Sequence, residues 1–506
     1  MKTGWLLALA MVPGLVLAQP TDLVQPHGRE FVRNGQTYTF IGVNMRGLSH
    51  YGAGSPLNFT TTGHIDENLN GAQSMGVKVI RLFAANKHQT NASNIARLKD
   101  VLDKMEARDQ KAIITLTDFY NTGFNPPGDE AYFLTQSSGG VYLDDSWFAG
   151  GFRTNYLPWV RAVVTELKDH NAVFSWQIGN ELTDLKTPNN IIAFAKETAA
   201  EIKAIDPYHM VSTGFLAIDH TQVGIEAGVE LYNDPNIDFI TGHSYNGDDP
   251  FQNWSVQARI EKPFVLSEFG WDTRDANRPA RVQEQLVKWI DQRQARGFMQ
   301  WGYQAQANDI GDGDSILGMD RYAHGDYTAL FNAYSARAAA LTAKPPASLD
   351  PPAGENVALG AVAWQASSNF STAYNGAKAF DGVVSASSKW TSDGSTAQSW
   401  LALDLGDEYP LTGFILRMAN DAAEDVRYAF PSYELQTGTS LAGPWTTRFT
   451  GENPAQYAVM RHVAAAPIPA RYVRLLVTDA GIDNYARLPE FEVYARPAAS
   501  EQWIVY

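Results

Sequence analysis

Two short segments of the sequence lead from apolar, strand-forming residues directly into a carboxylate. Residues 176–181 end on Glu181, and residues 264–270 carry Glu268 near their end. In a chain of alternating strands and helices, two such carboxylates can meet at one end of a barrel. A pair of carboxylates that face each other across a cleft is the minimal equipment for hydrolysing a glycosidic bond. The two segments therefore indicate acid–base and nucleophilic chemistry on a sugar.

The elements around these segments follow an alternating pattern from residue 39 to about residue 341. Eight apolar, strand-like runs lie at residues 39–45, 77–83, 112–117, 173–178, 210–214, 239–242, 263–266 and 298–303. The clearest helical patterns, with apolar residues three and four positions apart, lie at residues 91–108, 155–170, 189–205 and 278–296. This alternation predicts an α/β fold, a (β/α)8 TIM barrel that forms a catalytic domain at residues 19–344. A doubly wound open sheet is the alternative, but it would need a glycine-rich phosphate loop after the first strand, and residues 44–47 do not form one.

Polar residues lie at or beyond the ends of most of these strands, at the edge where a barrel binds its substrate. In chain order they are Arg81, Asp118, Asn180, Glu181, His243, Tyr245, Glu268 and Trp301. Hydrolysis with retention needs two carboxyl groups roughly 5–5.5 Å apart, one ionised for attack and one protonated to assist the leaving oxygen. The positive charge of Arg81 would keep Glu268 ionised, and the negative charge of Glu268 would favour a proton on Glu181.

These residues resemble glycoside hydrolase family 5, in the clan A of retaining β-glycosidase barrels that carry glutamates on strands four and seven. The resemblance spans roughly residues 28–341 and depends on four motifs in the right order: Gly-Asn-Glu, His-X-Tyr, Ser-Glu-Phe-Gly and the Trp of strand eight. It implies that Glu181 is the acid/base and Glu268 the nucleophile. It also implies supporting, substrate-binding roles for Arg81, Asn180, His243, Tyr245 and Trp301. We expect Asp118 to bind substrate as well, although it departs from the His that many members have at the end of the third strand, a position that shapes the sugar site.

A second domain follows a proline-rich segment. Four prolines between residues 345 and 352 predict a stiff, extended linker at residues 345–354. Beyond it, short strands and turns predict an antiparallel β-sandwich at residues 355–496. Its Ala-Phe-Asp-Gly, Lys-Trp-Thr-Ser and Pro-Glu-Phe-Glu-Val motifs resemble the discoidin, or coagulation factor 5/8 type C, fold, which in secreted glycosidases is grouped as carbohydrate-binding module family 32. The resemblance implies a C-terminal carbohydrate-binding module, and we expect the tail at residues 497–506 to pack back on it.

The resemblance of the second domain also implies a structural calcium ion. Asp381 and Glu490 match the positions that would bind it, and Ca²⁺ prefers such oxygen ligands. The acidic or amide residue that usually follows Asp-Gly is replaced here by Val383 and Val384. The sequence has no HExxH motif and no His/Asp cluster with metal-ligand spacing, so we expect no cofactor for catalysis.

The composition restricts the partners. A formal net charge of −16 argues against nucleic acid and anionic lipid, because both need a basic face. The absence of cysteine excludes a thiol nucleophile. Residues 1–18 have the positive charge, apolar run and cleavage site of a signal peptide, so we expect a secreted protein, extracellular or periplasmic. No later run is suited to membrane insertion, and we expect a monomer whose partner is a polysaccharide or oligosaccharide.

These observations favour a secreted retaining β-glycoside hydrolase that acts on a polysaccharide. A β-1,4-mannan or a β-glucan is the expected substrate, and chitosan would suit the acidic surface. Two alternatives stay open at this point. A transglycosylase would use the same residues but exclude water, and a catalytically silent glycan-binding or adhesion protein would use the barrel as a scaffold. Both glutamates argue against the silent protein.

Overall fold

The structure is a computed structural model that describes residues 20–51, 62–135, 139–183, 188–216, 224–249, 251–305, 316–395 and 398–496. The predicted signal peptide and the predicted C-terminal tail lie outside these residues. Within them, the chain forms a parallel barrel followed by an antiparallel β-domain. This architecture confirms the predicted fold class.

Eight parallel strands form the barrel. They are β1 (Phe40–Asn44), β2 (Val79–Phe83), β3 (Lys111–Thr115), β4 (Val173–Gln177), β5 (Met210–Ser212), β6 (Ile240–Tyr245), β7 (Phe264–Gly270) and β8 (Gly297–Gln300). Their hydrogen-bonded order is β5-β4-β3-β2-β1-β8-β7-β6. A parallel bridge from Ser212 of β5 to Phe239, immediately before β6, joins the two ends of this order. The sheet is therefore closed, and the carboxyl ends of all eight strands open on one face.

Helices follow most of the strands and cover the outside of the barrel. The described α-helices are α1 (Thr62–Ser74), α2 (Asn91–Glu106), α3 (Asp145–Ala149), α4 (Tyr156–Leu167), α5 (Pro188–Ile205), α6 (Gly224–Tyr232), α7 (Phe251–Arg259), α8 (Arg278–Leu286) and α9 (Tyr327–Ala340). The four predicted helices are α2, α4, α5 and α8, of which α8 continues into a π-helix at Val287–Gln292. No helix among the described residues combines the length and the apolar character needed to cross a bilayer.

The interior of the barrel is filled opposite the catalytic end. One cluster of buried side chains takes a residue from, or next to, every strand, and it is closed from below by residues of an N-terminal hairpin (Val24–His27 and Glu30–Arg33). The cluster consists of Val24, Phe31, Tyr38, Phe40, Val79, Ile113, Phe174, Met210, Phe239, Val265 and Met299. Because this plug blocks one end, polar side chains inside the barrel can meet substrate at the other end alone.

The second domain is built on antiparallel strands. They are β9 (Ala363–Ala366), β10 (Ser399–Arg417), β11 (Ser432–Gly438), β12 (Trp445–Glu452), β13 (Val459–Asp479) and β14 (Glu490–Ala495). The long strand β10 pairs with β9, β13 and β14, and β13 also pairs with β11. The domain has its own core, in which the Trp390 side chain is completely buried. A separate core is the mark of an independent domain.

The two domains are in contact along α7. The backbone N–H of Ala458 donates to the carbonyl of Ala258 at 2.8 Å, and the indole N–H of Trp254 donates to the carbonyl of Ala455 at 3.0 Å. The guanidinium of Arg29 lies 3.9 Å from the centre of the Tyr457 ring. Backbone hydrogen bonds and a buried tryptophan are features of a fixed interface rather than a loose tether.

Replacement of Trp254 by alanine is expected to destabilise the protein by about 3 kcal/mol, the usual cost of removing a buried tryptophan. Trp254 is 8% exposed and forms a buried cluster with Ala258 and, from the second domain, Val426. Denaturant unfolding measures the change, and Tyr322→Ala, at a side chain that is 62% exposed, is the control with an expected change within about 0.5 kcal/mol. Equal stability of the Trp254 variant and the wild type would contradict a stabilising interface.

Candidate active site

Glu181 lies in a sharp turn beyond β4. Its backbone has a φ of 51°, in the left-handed region that residues other than glycine rarely occupy. The turn is held by the segment that follows β5, because the N–H of Glu181 donates to the carbonyl of Gly214 at 2.9 Å. Gly214 has a φ of 75°, and a Cβ at this position would lie 1.9 Å from the carbonyl oxygen of Gly179. A strained backbone that the surrounding structure enforces is typical of functional sites.

Glu268 is aimed into the barrel by an irregularity of β7. Gly242 of β6 pairs with Leu266, but the next residue, His243, pairs with Glu268. One additional residue, Ser267, is therefore accommodated in β7 at this point. Such bulges bend a strand and re-aim the side chains beside an active site. The result is that His243 and Glu268 lie side by side at the catalytic end.

Arg81 of β2 links the predicted site residues. Its guanidinium donates to Gln177 at 2.6 Å, to Asn44 at 3.0 Å and to Asn180 at 2.7 Å. It also donates to a carboxylate oxygen of Glu268, and neither side chain of this ion pair is more than 2% exposed. A buried guanidinium with these acceptors is fixed in orientation, so Arg81 holds Asn180 and Glu268 in a defined geometry.

The charge state of Glu268 results from opposing effects. Burial, with a contribution from the charge of Glu181, raises the pKa of Glu268 above its ordinary value, and the charges of His243 and Arg81 and the hydrogen bond from the Tyr245 hydroxyl offset only part of this rise. The guanidinium of Arg81 stays charged in proteins. Neutralising Glu268 would therefore leave a buried, unpaired cation, which is costly. The ion pair with Arg81 therefore favours the ionised form of Glu268 against the effect of burial.

Glu181 is more accessible than Glu268, with 13% of its side chain exposed. Nδ1 of His243 lies 2.6 Å from one of its carboxylate oxygens, and the hydroxyl of Tyr120 donates to the other at 2.7 Å. A carboxylate oxygen of Glu181 lies within 4.8 Å of one from Glu268. This proximity fits the retaining arrangement, in which the carboxyl groups lie roughly 5–5.5 Å apart, better than the inverting one, in which they lie roughly 6.5–9.5 Å apart.

A cleft of about 530 Å³ opens at this end of the barrel. Its lining contains five predicted residues, Asn180, Glu181, Tyr245, Glu268 and Trp301, together with Arg46, Tyr120, Thr122 and Leu317. The guanidinium of Arg46 lies 5.6 Å from the centre of the Trp301 ring. The other three predicted residues, Arg81, His243 and Asp118, are buried behind this lining. The structure thus brings all eight predicted side chains to one site, in two layers.

Sequence reasoning missed several residues of this site. Tyr120 and Thr122 lie beyond β3 and were available from the same argument that singled out Asp118, since they follow the end of a strand. Asn44 and Gln177 are the last residues of β1 and β4, where the same positional signal applies. Arg46 and Leu317 carry no such signal, because they belong to loops whose course is set by tertiary packing.

A plugged parallel barrel whose open end holds a buried, arginine-paired glutamate and a second, accessible glutamate defines a glycoside hydrolase site of the two-carboxylate type. Comparison with known families agrees with this class. Residues 160–259 match the family described as GH family 5 beta-mannosidase-like, and residues 363–491 match the F5/8 type C domain. These matches confirm the predicted resemblances of the barrel and of the second domain.

Curated relatives belong to the same enzyme class, and a solved structure shares the fold of the barrel. The chain is 24% identical over 321 residues to mannan endo-1,4-beta-mannosidase 5 of Solanum lycopersicum, covering 54% of this chain and 77% of that protein. It is 24% identical over 327 residues to probable mannan endo-1,4-beta-mannosidase C of Aspergillus terreus, covering 53% and 79%. The crystal structure of an endo-1,4-beta-mannanase from Rhizomucor miehei has the same fold, with a TM-score of 0.51 at 19% identity over 63% of this chain and 100% of that chain. The prediction of a glycoside hydrolase is therefore confirmed.

The second domain has a smaller cleft of about 390 Å³. Its lining combines aromatic rings with polar groups, namely Phe370, Tyr374, Lys389, Thr391, Tyr485 and Arg487. The Phe370 ring is 57% exposed and lies edge-on to the rings of Tyr374 and Tyr485. Both cations are paired, Lys389 with Glu424 and Arg487 with Asp483. Exposed rings beside fixed polar groups suit the apolar faces and hydroxyls of a neutral sugar.

The predicted calcium ligands Asp381 and Glu490 are neighbours. Both carboxylate oxygens of Glu490 accept from the N–H of Gly382, at 3.1 and 3.2 Å. Burial, with a contribution from the charge of Asp381, raises the pKa of Glu490 to about 7. A buried carboxylate whose charge is disfavoured by a second carboxylate beside it fits a cation. The two carboxylates do not supply a cage alone, because Ca²⁺ takes six to eight oxygens.

Proposed function

We propose that the protein is a secreted, monomeric, retaining endo-β-1,4-mannanase, exported by the signal peptide at residues 1–18 and directed to its substrate by the second domain. The main support for this proposal is the Glu181–Glu268 pair, in which a carboxylate oxygen of each residue lies within 4.8 Å of the other in the open cleft. Mannan is favoured over other β-glycans by the names of the curated relatives, which are mannan endo-1,4-beta-mannosidases. Hydrolysis is favoured over transglycosylation for the same reason.

In the first half of the proposed reaction, Glu268 attacks the anomeric carbon of a mannose unit. The bond from that carbon to the leaving glycosidic oxygen breaks, and the proton of Glu181 passes to this oxygen. Glu181 starts protonated because the charge of Glu268 disfavours a second anion nearby. Arg81 and the Tyr245 hydroxyl hold the attacking carboxylate, and the Tyr120 hydroxyl and His243 hold the acid.

In the second half, Glu181 acts as a base. Formation of the glycosyl ester removes the charge of Glu268, so ionised Glu181 becomes the local anion and takes a proton from water. The water oxygen attacks the anomeric carbon, and the bond to Glu268 breaks. Asn180 is the proposed partner of the sugar 2-hydroxyl, a contact that strengthens in the transition state. Trp301 offers an apolar face to the sugar ring at the point of cleavage.

This chemistry needs no metal ion. Glu181, His243 and Glu268 are, among the described residues, a group close enough to hold one. The guanidinium of Arg81, however, already forms an ion pair with Glu268 of this group. A second cation would have to overcome its repulsion at a buried position.

The function is tested with the wild type and Glu268→Ala on a panel of β-mannan, β-glucans, xylan and chitosan, with products resolved by size. The expected result is a ladder of short manno-oligosaccharides from mannan with the wild type alone. Release of mannose alone from chain ends would replace endo action by exo action. Cleavage of another polymer, with mannan untouched, would overturn the proposed substrate.

The second domain is proposed to bind Ca²⁺ through Asp381 and Glu490. After treatment with EDTA, added Ca²⁺ is expected to raise the Tm of this domain, with a stabilisation of about 2.7 kcal/mol at 100 times its Kd. Because the pKa of Glu490 is raised to about 7, the carboxylate needed by the ion is lost as the pH falls through 7. Calorimetry should therefore show a larger Ca²⁺ response at pH 8 than at pH 5.

The matched variants for this calcium experiment are Glu490→Gln and Glu452→Gln. Glu490→Gln keeps the shape of the buried side chain and should abolish the Ca²⁺ response. Glu452 lies on β12 of the same domain and is exposed, so Glu452→Gln should respond like the wild type. An undiminished response in Glu490→Gln would show that the ion binds elsewhere.

A further inference from the structure

Asp118 is a buried carboxylate with no assigned task. It follows β3, has no exposed surface and lies outside the lining of the catalytic cleft. One of its carboxylate oxygens accepts from the hydroxyl of Thr122, and the other accepts from the side-chain N–H of Asn180 at 2.9 Å. A buried carboxylate is expensive unless donors compensate it. The donors of Thr122 and Asn180 supply this compensation for Asp118.

The contact with Asn180 determines the orientation of a substrate-facing amide. An Asn side chain has an oxygen that accepts and two N–H groups that donate. The oxygen of Asn180 accepts from the guanidinium of Arg81 at 2.7 Å, and one N–H donates to Asp118 at 2.9 Å. Arg81 can only donate, and ionised Asp118 can only accept, so a flipped amide would lose both bonds.

The remaining N–H of Asn180 has no hydrogen-bond partner among the described residues, and Asn180 lines the catalytic cleft. The backbone on both sides of Asp118 is also bonded to Asn180. The N–H of Phe119 donates to the Asn180 carbonyl at 3.0 Å, and the N–H of Asn180 donates to the Thr117 carbonyl at 2.9 Å. The turn after β3 and the turn after β4 are thereby held together. The remaining side-chain N–H of Asn180, which has no partner in the part of the chain that the structure describes, is left for the substrate.

We propose that Asp118 is a positioning residue, which fixes the amide of Asn180 so that its second N–H is presented to the sugar hydroxyl beside the anomeric carbon. This inference rests on the proposed glycosidase function and deepens it. Thr122 has the corresponding task of holding Asp118 itself. Asp118 touches neither substrate nor the reacting atoms and acts through Asn180.

The surroundings of Asp118 give this arrangement a pH dependence. Burial raises the pKa of Asp118 to about 6, and the charge of Glu181 acts in the same direction, whereas the hydrogen bonds from Thr122 and Asn180 and the charge of Arg46 lower this pKa. Tyr120 is a further titratable group within its electrostatic reach. Protonation converts one acceptor oxygen of Asp118 into a donor, which competes with the donors of Thr122 and Asn180. Positioning is therefore strongest above pH 6 and weakens as the pH falls through 6.

The test compares two substrates in the wild type, Asp118→Ala, Asp118→Asn and Thr122→Val. The substrates are a 2,4-dinitrophenyl β-mannotrioside and the analogue that lacks the 2-hydroxyl on the sugar joined to the aryl group. For the complete substrate, Asp118→Ala should lower kcat by roughly 10- to 100-fold with a small change in KM, since the contact strengthens in the transition state. For the 2-deoxy analogue, wild type and Asp118→Ala should react at nearly equal rates.

Asp118→Asn keeps an acceptor for Asn180, so its kcat at pH 7 should stay within about threefold of the wild type, as expected for a side chain whose shape and hydrogen bond are kept. Its acid limb should lie at lower pH than that of the wild type, because the titrating group is gone. Thr122→Val should lose part of kcat on the complete substrate alone. These two variants test the proposal even if Asp118→Ala does not fold. A thermal melt of each variant shows whether it is folded.

Two outcomes would overturn the proposal, and they are distinguishable. If the wild type hydrolyses both substrates and the variants lose equal factors on each, Asp118 has a general structural role. If the wild type hydrolyses neither substrate, the proposed action on β-mannosides is wrong and the role of Asp118 in it is wrong as well.

Discussion

Replacement of Glu268 by alanine is expected to lower kcat on mannan by a factor on the order of 10⁶, the size of the loss when a covalent nucleophile is removed from an enzyme. The carboxylate is buried and paired with Arg81, and it lies within 4.8 Å of Glu181 across the point where the sugar must bind. No other described side chain at this end of the barrel offers a second buried, ion-paired carboxylate that could replace it. Initial rates on a mannan polymer, with products resolved by size, measure the loss.

Chemical rescue distinguishes a lost nucleophile from a damaged fold. The alanine leaves room for azide, which should attack the anomeric carbon of an activated aryl β-mannoside and give a glycosyl azide of inverted configuration. Removal of Glu268 also leaves the buried charge of Arg81 unpaired, which costs about 3–5 kcal/mol, so Tm is measured in parallel. Glu284→Ala, at an exposed residue of α8, is the control and should keep full activity. An inverted azide product from a Glu181 variant instead would interchange the two roles.

The eight candidate side chains of the site could be predicted from the sequence because a parallel barrel converts chain order into geometry. Glu181 and Glu268 follow apolar runs, and the carboxyl ends of all strands share one face. The same rule placed Arg81, Asn180, His243, Tyr245 and Trp301 correctly without any distance being known. The roles of these residues, in contrast, stay predictions until the variants are measured.

The rest of the site could not be predicted, because it depends on side-chain packing between elements distant in sequence. Nothing local indicates that the hydroxyl of Tyr120 donates to Glu181, since 61 residues separate them and both the turn after β3 and the strained turn after β4 are needed. Asp118 was expected to shape the sugar site directly. It lies behind the lining and contacts Asn180 instead, a distinction that only the burial of its carboxylate makes visible.

The contact between the two domains could not be predicted from the sequence either. The linker prolines predicted a stiff spacer, and residues 341–352 are neither helix nor strand. The start of this segment nevertheless contacts the barrel domain, where the N–H of Thr37 donates to the carbonyl of Lys344 at 2.8 Å. The composition of a linker indicates its stiffness but not the direction in which it leads the chain. The linker sequence therefore does not predict the interface on α7.

Replacement of Glu181 by alanine is expected to separate substrates by their leaving groups. General acid catalysis contributes about 10²- to 10⁴-fold, and it matters most where the leaving oxygen is strongly basic. On mannan, whose leaving group is a sugar alkoxide, kcat should fall by about this factor. On a 2,4-dinitrophenyl β-mannoside the first step should proceed almost normally, because dinitrophenolate leaves without protonation.

The second step of the Glu181 variant then becomes limiting, because no base activates water. The glycosyl ester on Glu268 should accumulate, giving a burst of dinitrophenolate followed by slow turnover and a low apparent KM. Azide needs no base, so it should accelerate the slow phase and give a glycosyl azide of retained configuration. Rapid-mixing absorbance measures the burst, and Glu166→Ala, at an exposed position of α4, should behave like the wild type. Equal losses on mannan and on the dinitrophenyl glycoside, without a burst, would mean that Glu181 orients the substrate and does not transfer the proton.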